Sequence, residues 1–176
     1  MPQVQHHPPH IYLDDTWYAI TSSVYGRHRW LAGDVNKTIV RDKLKELIAT
    51  FKVSLAAWVI LDNHYHLLLK SQTGKDISTM IGQLHGYTSR QINKIEGIQR
   101  RMWDNYWDTC MRDGQSYWTR FNYIHHNPIK HGYVMAMQDW PFSSYRWYDE
   151  NKGSEWMTDA LTRYPVKDFT DARDAF

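Results

Sequence analysis

The chain has 176 residues, 42% of them hydrophobic and 23% charged, which suits one domain whose core needs no covalent staples. One cysteine, Cys110, excludes an internal disulfide; with no bilayer-length apolar run and no signal-peptide core, the expectation is a cytoplasmic protein. The net charge of +2 conceals an asymmetry, because residues 139–176 carry eight acids and five bases, net −3, leaving +5 on the rest and a lean toward a polyanionic partner.

In chain order, MPQVQHHPPH falls in a flexible tail over residues 1–11. DTWYAITSSVYG (15–26) is rich in β-branched and aromatic residues and predicts a strand. GDVNKTIVRDKLKELIATF follows, with Asp34 as N-cap and Val40, Leu44, Leu47, Ile48 and Phe51 at helical spacing. VSLAAWVILDNHYHLLLKS (53–71) predicts two strands that turn at LDNH. In KDISTMIGQLHGYTSRQINKIEG, Ile77, Met80, Ile81, Leu84, Thr88 and Ile95 share the core face of a second long helix. RRMWDNYWDTCMRD (100–113) predicts a further strand, and QSYWTRFNYIHHNPIKHG a third helix interrupted at Pro128. From residue 139 the chain reads as irregular. The order β-α-β-β-α-β is the α+β, ferredoxin-like split βαβ arrangement. It implies an antiparallel sheet with helices packed on one face, the other face free for a ligand, and a C-terminal tyrosine-bearing helix.

Two histidines interrupt the apolar strand DNHYHLLLK. Side chains alternate along a strand, so His64 and His66 share one face and can converge on a divalent cation, while Tyr65, Leu67 and Leu69 take the other. A bare His-x-His is more often a pair of hydrogen-bonded structural histidines, and it also fits zinc hydrolases and phosphoesterases. In the third helix, Tyr117, Trp118, Phe121 and Ile124 form an apolar stripe. Tyr123 lies roughly 140° from its middle, beside Thr119, Arg120, His126 and Asn127. A packing tyrosine belongs on the stripe; an exposed tyrosine without a role is the bland alternative. Asn127, one turn on, shares the face of Tyr123. It precedes a proline, so it ends one helical segment and caps the next, or turns its amide oxygen to a metal.

NHYHLLLK, YIHHNPIKHGYV and DWPFSSYRWY, in this order and spacing, resemble the single-tyrosine transposases of the HUH endonuclease superfamily, and their REP-associated branch in particular. The first matches the His-hydrophobic-His motif with Tyr65 in the middle, the second Tyr-Ile-x-x-Asn-Pro, and the third Trp-Pro-x-Ser-Ser-Tyr. WDNYWDTCMRD falls where the branch has an aromatic strand ending in Arg-Asp. The resemblance covers residues 12–150 and leaves 151–176 as an acidic C-terminal extension without a counterpart.

This resemblance implies that His64 and His66 are metal ligands and Tyr123 the nucleophile. Asn127 falls where relatives place a third polar ligand, often Gln. It implies a single-stranded DNA endonuclease and strand transferase that acts beside hairpins through a covalent 5′-phosphotyrosine, with Mg²⁺ or Mn²⁺ as cofactor. The expected setting is the bacterial nucleoid, as a monomer or homodimer. His85 stands where many relatives carry a basic residue; with Arg27, Arg29, Arg90, Arg100, Arg101, Arg120 and Lys130 it is a candidate DNA contact. The competing readings are a domesticated hairpin-binding module that no longer cuts, and a phosphoesterase that uses water.

Overall fold

The computed structural model describes residues 12–166, so the tail at 1–11 and the last ten residues lie outside the description. Among these residues, four strands form one antiparallel sheet in the order β2-β3-β1-β4: β1 (Thr16–Ser23), β2 (Ser54–Ile60), β3 (His64–Ser71) and β4 (Trp107–Cys110). This is the split βαβ topology, with β1 and β3 paired along their full length. The fourth strand covers only four of the residues predicted for it.

Helices α1 (Asp34–Phe51) and α2 (Lys75–Glu96) cover one face of the sheet. Tyr18 and Ile20 of β1, with Tyr65, Leu67 and Leu69 of β3, are packed there against Val40, Leu44, Leu47, Ile77, Met80, Ile81 and Leu84. Gly33, not Asp34, is the N-cap of α1; Asp34 is the first helical residue, where its charge complements the helix dipole. In α2 the inward position is taken by Ile92, fully buried, while Ile95 is 58% exposed.

The second face is not open. Helix α3 (Gly114–Lys130) lies across β2 and β3, against Ala57, Val59 and Leu68. It runs through Pro128, whose missing N–H deprives only Ile124 of a donor in the last turns. The stretch expected to be irregular forms α4 (Tyr145–Lys152) and α5 (Ser154–Arg163), which enclose the outer side of α3. Phe121, Tyr148 and Trp156 pack together there, and Asn122 Nδ2 donates to the carbonyls of Ala160 and Tyr164. The apolar positions of these helices are mostly aromatic and half-buried, a weak periodic signal over helices of eight and ten residues.

Residues 140–144 return to the free edge of β2. Ile60 N–H donates to Phe142 O at 2.9 Å, Ser144 N–H to Trp58 O at 3.0 Å, and the Trp140 indole to Ile60 O at 3.0 Å. No helix among the described residues is long and apolar enough to cross a membrane.

Candidate active site

Strand alternation turns His64 and His66 toward α3, and both rings are 1% exposed. Their centroids are 4.9 Å apart and the rings stand edge to face. His66 Nδ1 shares a 2.8 Å hydrogen bond with Thr21 Oγ1, its cross-strand neighbour on β1. His64 Nδ1 meets Asn63 Oδ1 at 2.7 Å, and its Nε2 faces Asn127 Oδ1 at 3.3 Å. Burial first, then the neighbouring His66 and His131, hold the pKa of His64 well below the usual histidine value, so the ring is neutral. A neutral imidazole has one N–H, so it donates to only one of these two side-chain oxygens.

Asn127 is fully buried, and its Nδ2 has no hydrogen-bond partner. Among the described residues no group of three or more His, Cys, Asp or Glu is placed to hold a metal ion. The donor set is instead two imidazoles and one amide oxygen. That chemistry fits a divalent cation of borderline hardness.

Tyr123 reaches the same place from α3. Its ring lies 5.5 Å from that of His66, and only 1% of the residue is exposed. Lys130 Nζ donates to the phenolic oxygen at 3.0 Å, and the Arg120 guanidinium stands 5.3 Å from the ring centroid. All of these groups belong to one chain. His131, at the C-cap of α3, adds a third imidazole 5.1 Å from His64. It lines a cleft of about 360 Å³ together with Arg29, Asn63, Gly132 and Tyr133.

Of the predicted residues, the structure therefore brings together His64, His66, Tyr123 and Asn127. Asn127 is helical rather than a cap between segments. Tyr123 is not on a solvated polar side: it faces the sheet beside His66, while α4 and α5 cover the Phe121 side of α3. Arg120, on the same side of the helix as Tyr123, is 8% exposed and lies beside the phenol instead of on a DNA-facing surface. Lys130 points back to Tyr123.

His85 is misplaced for a DNA contact. It sits on the α1/α2 side of the sheet, stacked on Trp103 at 4.7 Å and bonded to Tyr65 Oη and Ser22 Oγ, with its pKa pushed by burial to about 3. Arg90 and Arg100 line a cleft at the C-terminal end of α2, on that same side. Arg100 is paired with Glu96 and lies on Trp30, and Arg101 stands over Tyr25. Near the histidines are Arg27, whose carbonyl accepts from Asn63, and Arg29, which pairs with Asp62.

Three site residues escaped sequence reasoning. Thr21 and Asn63 carry no signal beyond position. His131 has one, since it stands a single turn beyond Asn127 on the line from Tyr123.

The family described as transposase IS200-like matches residues 13–127. A curated REP-associated tyrosine transposase of Escherichia coli strain K12 is 30% identical over 90 residues, 51% of this chain and 52% of its own length. A Haemophilus influenzae protein provisionally given the same name is 28% identical over 130 residues, 64% of this chain and 74% of its own. The solved REP-associated tyrosine transposase bound to a REP hairpin shares the fold, with a TM-score of 0.71 at 21% identity, covering 84% of this chain and 87% of that one. The chain belongs to the IS200-like transposase family, and within it resembles the REP-associated tyrosine transposases.

Proposed function

We propose that this protein is a metal-dependent endonuclease and strand transferase for single-stranded DNA carrying a hairpin, with Tyr123 as nucleophile. One observation carries the reading: a phenol on α3 and two imidazoles on β3 converge in a single chain, with 5.5 Å between the rings of Tyr123 and His66, 57 residues apart. A structural histidine pair requires no tyrosine beside it, and a water-using phosphoesterase leaves Tyr123 unexplained.

His64, His66 and Asn127 are the residues to hold Mg²⁺ or Mn²⁺, which when bound polarises the scissile phosphate and offsets charge on its oxygens. Asn63 and Thr21 orient the two imidazoles through their Nδ1 atoms. Tyr123 Oη attacks phosphorus, the P–O3′ bond breaks, and the phenolic proton is balanced by the one gained at the released 3′-hydroxyl. The 5′-phosphotyrosine keeps the energy of the ester, so another 3′-hydroxyl can reverse the step without ATP.

The hairpin comes from the relatives: the curated pair are named for REP association, and the solved relative holds a REP hairpin. Residues 12–150 form the transposase domain in this reading, 151–176 an extension, and the setting is the bacterial nucleoid.

The test is an SDS-stable protein–DNA adduct on hairpin-bearing single strands with Mn²⁺. The adduct is expected from the native chain and absent from Tyr123→Phe and His64→Ala. An adduct that survives Tyr123→Phe overturns the assignment. The burial of the phenol favours a second reading, a hairpin-binding module that does not cut; tight binding without an adduct under any divalent ion would establish it.

A further inference from the structure

We propose that Lys130 is a catalytic residue, whose ammonium holds the Tyr123 oxygen and stabilises negative charge on it during both cleavage and rejoining. The inference rests on the reading of Tyr123 as nucleophile.

The geometry is direct. Nζ lies 3.0 Å from Tyr123 Oη and 4.9 Å from the ring centroid. The two residues are seven apart on α3, hence two turns along one face. Helical side chains lean toward the N-terminus, so the Lys130 stem runs back over the preceding turns and delivers its head to the phenol. A lysine serving only to meet DNA phosphates would extend into solvent. This one is exposed as a residue, yet it turns inward to a neutral oxygen that is itself buried.

Burial makes the contact consequential. A phenol has a reference pKa of about 10 and attacks phosphorus poorly while it keeps its proton. As the Oη–P bond forms and the P–O3′ bond breaks, the phenolic proton departs and the 3′-oxygen gains one. Rejoining runs the same atoms backward, with the tyrosine oxygen as leaving group. Negative charge on Oη develops along both directions, and an ammonium already in place in a water-poor site stabilises it without reorganisation. An ammonium carries three donors, so Lys130 can hold Oη and a phosphoryl oxygen at once and bring the two together. Arg120, 5.3 Å from the ring, adds a second positive charge beside the phenol.

The experiment uses the full chain, Mn²⁺ and a hairpin-bearing single strand, and it measures adduct rate at saturating DNA separately from Kd. Lys130→Met is expected to slow adduct formation by about 100-fold, as loss of one charge-stabilising donor does, with Kd close to native. Lys130→Arg, which keeps the charge, should recover most of that rate. A ring-fluorinated, more acidic tyrosine at position 123 should restore a larger fraction of activity in Lys130→Met than it adds to the native chain. A purely structural role would not produce that rescue.

A defect that appears in Kd and vanishes at saturating DNA makes Lys130 an ordinary phosphate contact and overturns the inference. So does a native rate in a folded Lys130→Met. If the native chain forms no adduct at all, the nucleophile reading itself fails. If the adduct is lost in Tyr123→Phe but not in Lys130→Met, only the role of Lys130 fails.

Discussion

His64 and Asn127 meet at the junction of sheet and helix, Nε2 to Oδ1 3.3 Å, although 63 residues separate them. The short asparagine reaches because α3 lies directly on β2 and β3. If this pair contributes to a metal site, Asn127→Leu should lower Mn²⁺ affinity by roughly 10–100-fold, the range seen when groups that tune a metal site are removed. Asn127→Asp should raise it, because a carboxylate adds charge. Titration calorimetry reads both, and an unchanged affinity in Asn127→Leu would remove this residue from the donor set.

Asn63 Oδ1 is the hydrogen-bond partner of His64 Nδ1, at 2.7 Å, and orients the ring. Asn63→Ala should therefore weaken Mn²⁺ binding by about 10-fold while His64 itself stays in place. Electron paramagnetic resonance of bound Mn²⁺ would report the altered geometry; native affinity in this variant would mean the ring is oriented by other contacts.

Lys37 Nζ lies 2.8 Å from Asp62 Oδ1, with 2% and 7% of the two side chains exposed. Burial alone would raise the Asp62 pKa, but Lys37 and Arg29 hold it below the usual value. Asp62→Ala strands a buried ammonium and should destabilise the fold by about 3–5 kcal/mol in urea unfolding. The double variant Asp62→Ala, Lys37→Met should be milder than Asp62→Ala alone. If it is worse, the pair is not the source of the effect.

His125 is fully buried against Phe121, with Nε2 2.7 Å from Ser144 Oγ, and burial pushes its pKa to about 3. The unfolded chain binds that proton first, near pH 6.5. Stability contributed by the neutral ring is thus present above pH 6.5 and declines as pH falls toward 3, by up to about 1.4 kcal/mol per pH unit. His85, also near 3, acts in the same direction. Urea midpoints at about pH 7.5 and about pH 5 should differ by less in His125→Asn than in the native chain; an identical pH dependence would contradict the assignment.

Asn122 ties α3 to α5 through two 2.8 Å bonds from Nδ2. Asn122→Ala leaves two carbonyls without this donor and should cost about 1–3 kcal/mol. Hydrogen exchange should accelerate in α5 before α2; uniform acceleration would mean that α5 is not a separate unit.

Much of the fold is legible in the sequence, because burial on one side writes itself as a period. NHYHLLLK alternates, and its two faces are those of the sheet. The tyrosine helix misleads for a related reason. Tyr117, Trp118, Phe121 and Ile124 suggest one apolar stripe only if the remaining side meets water. That side instead meets the sheet, where Tyr123 and Arg120 gather at the histidine pair, while α4 and α5, whose half-buried aromatic residues show little periodicity, cover Trp118 and Phe121 of the stripe itself. Thr21, Asn63 and Lys130 act through contacts between elements or across helical turns, which composition and spacing alone do not specify.

The return of residues 140–144 along β2 has a consequence for association. A sheet that ends in bare amide and carbonyl groups invites another chain to dock as an extra strand. Here Phe142 and Ser144 occupy those groups on one border, and the opposite border is the four-residue β4. A second copy seeking continuous sheet through β2 would first have to peel away this built-in strip.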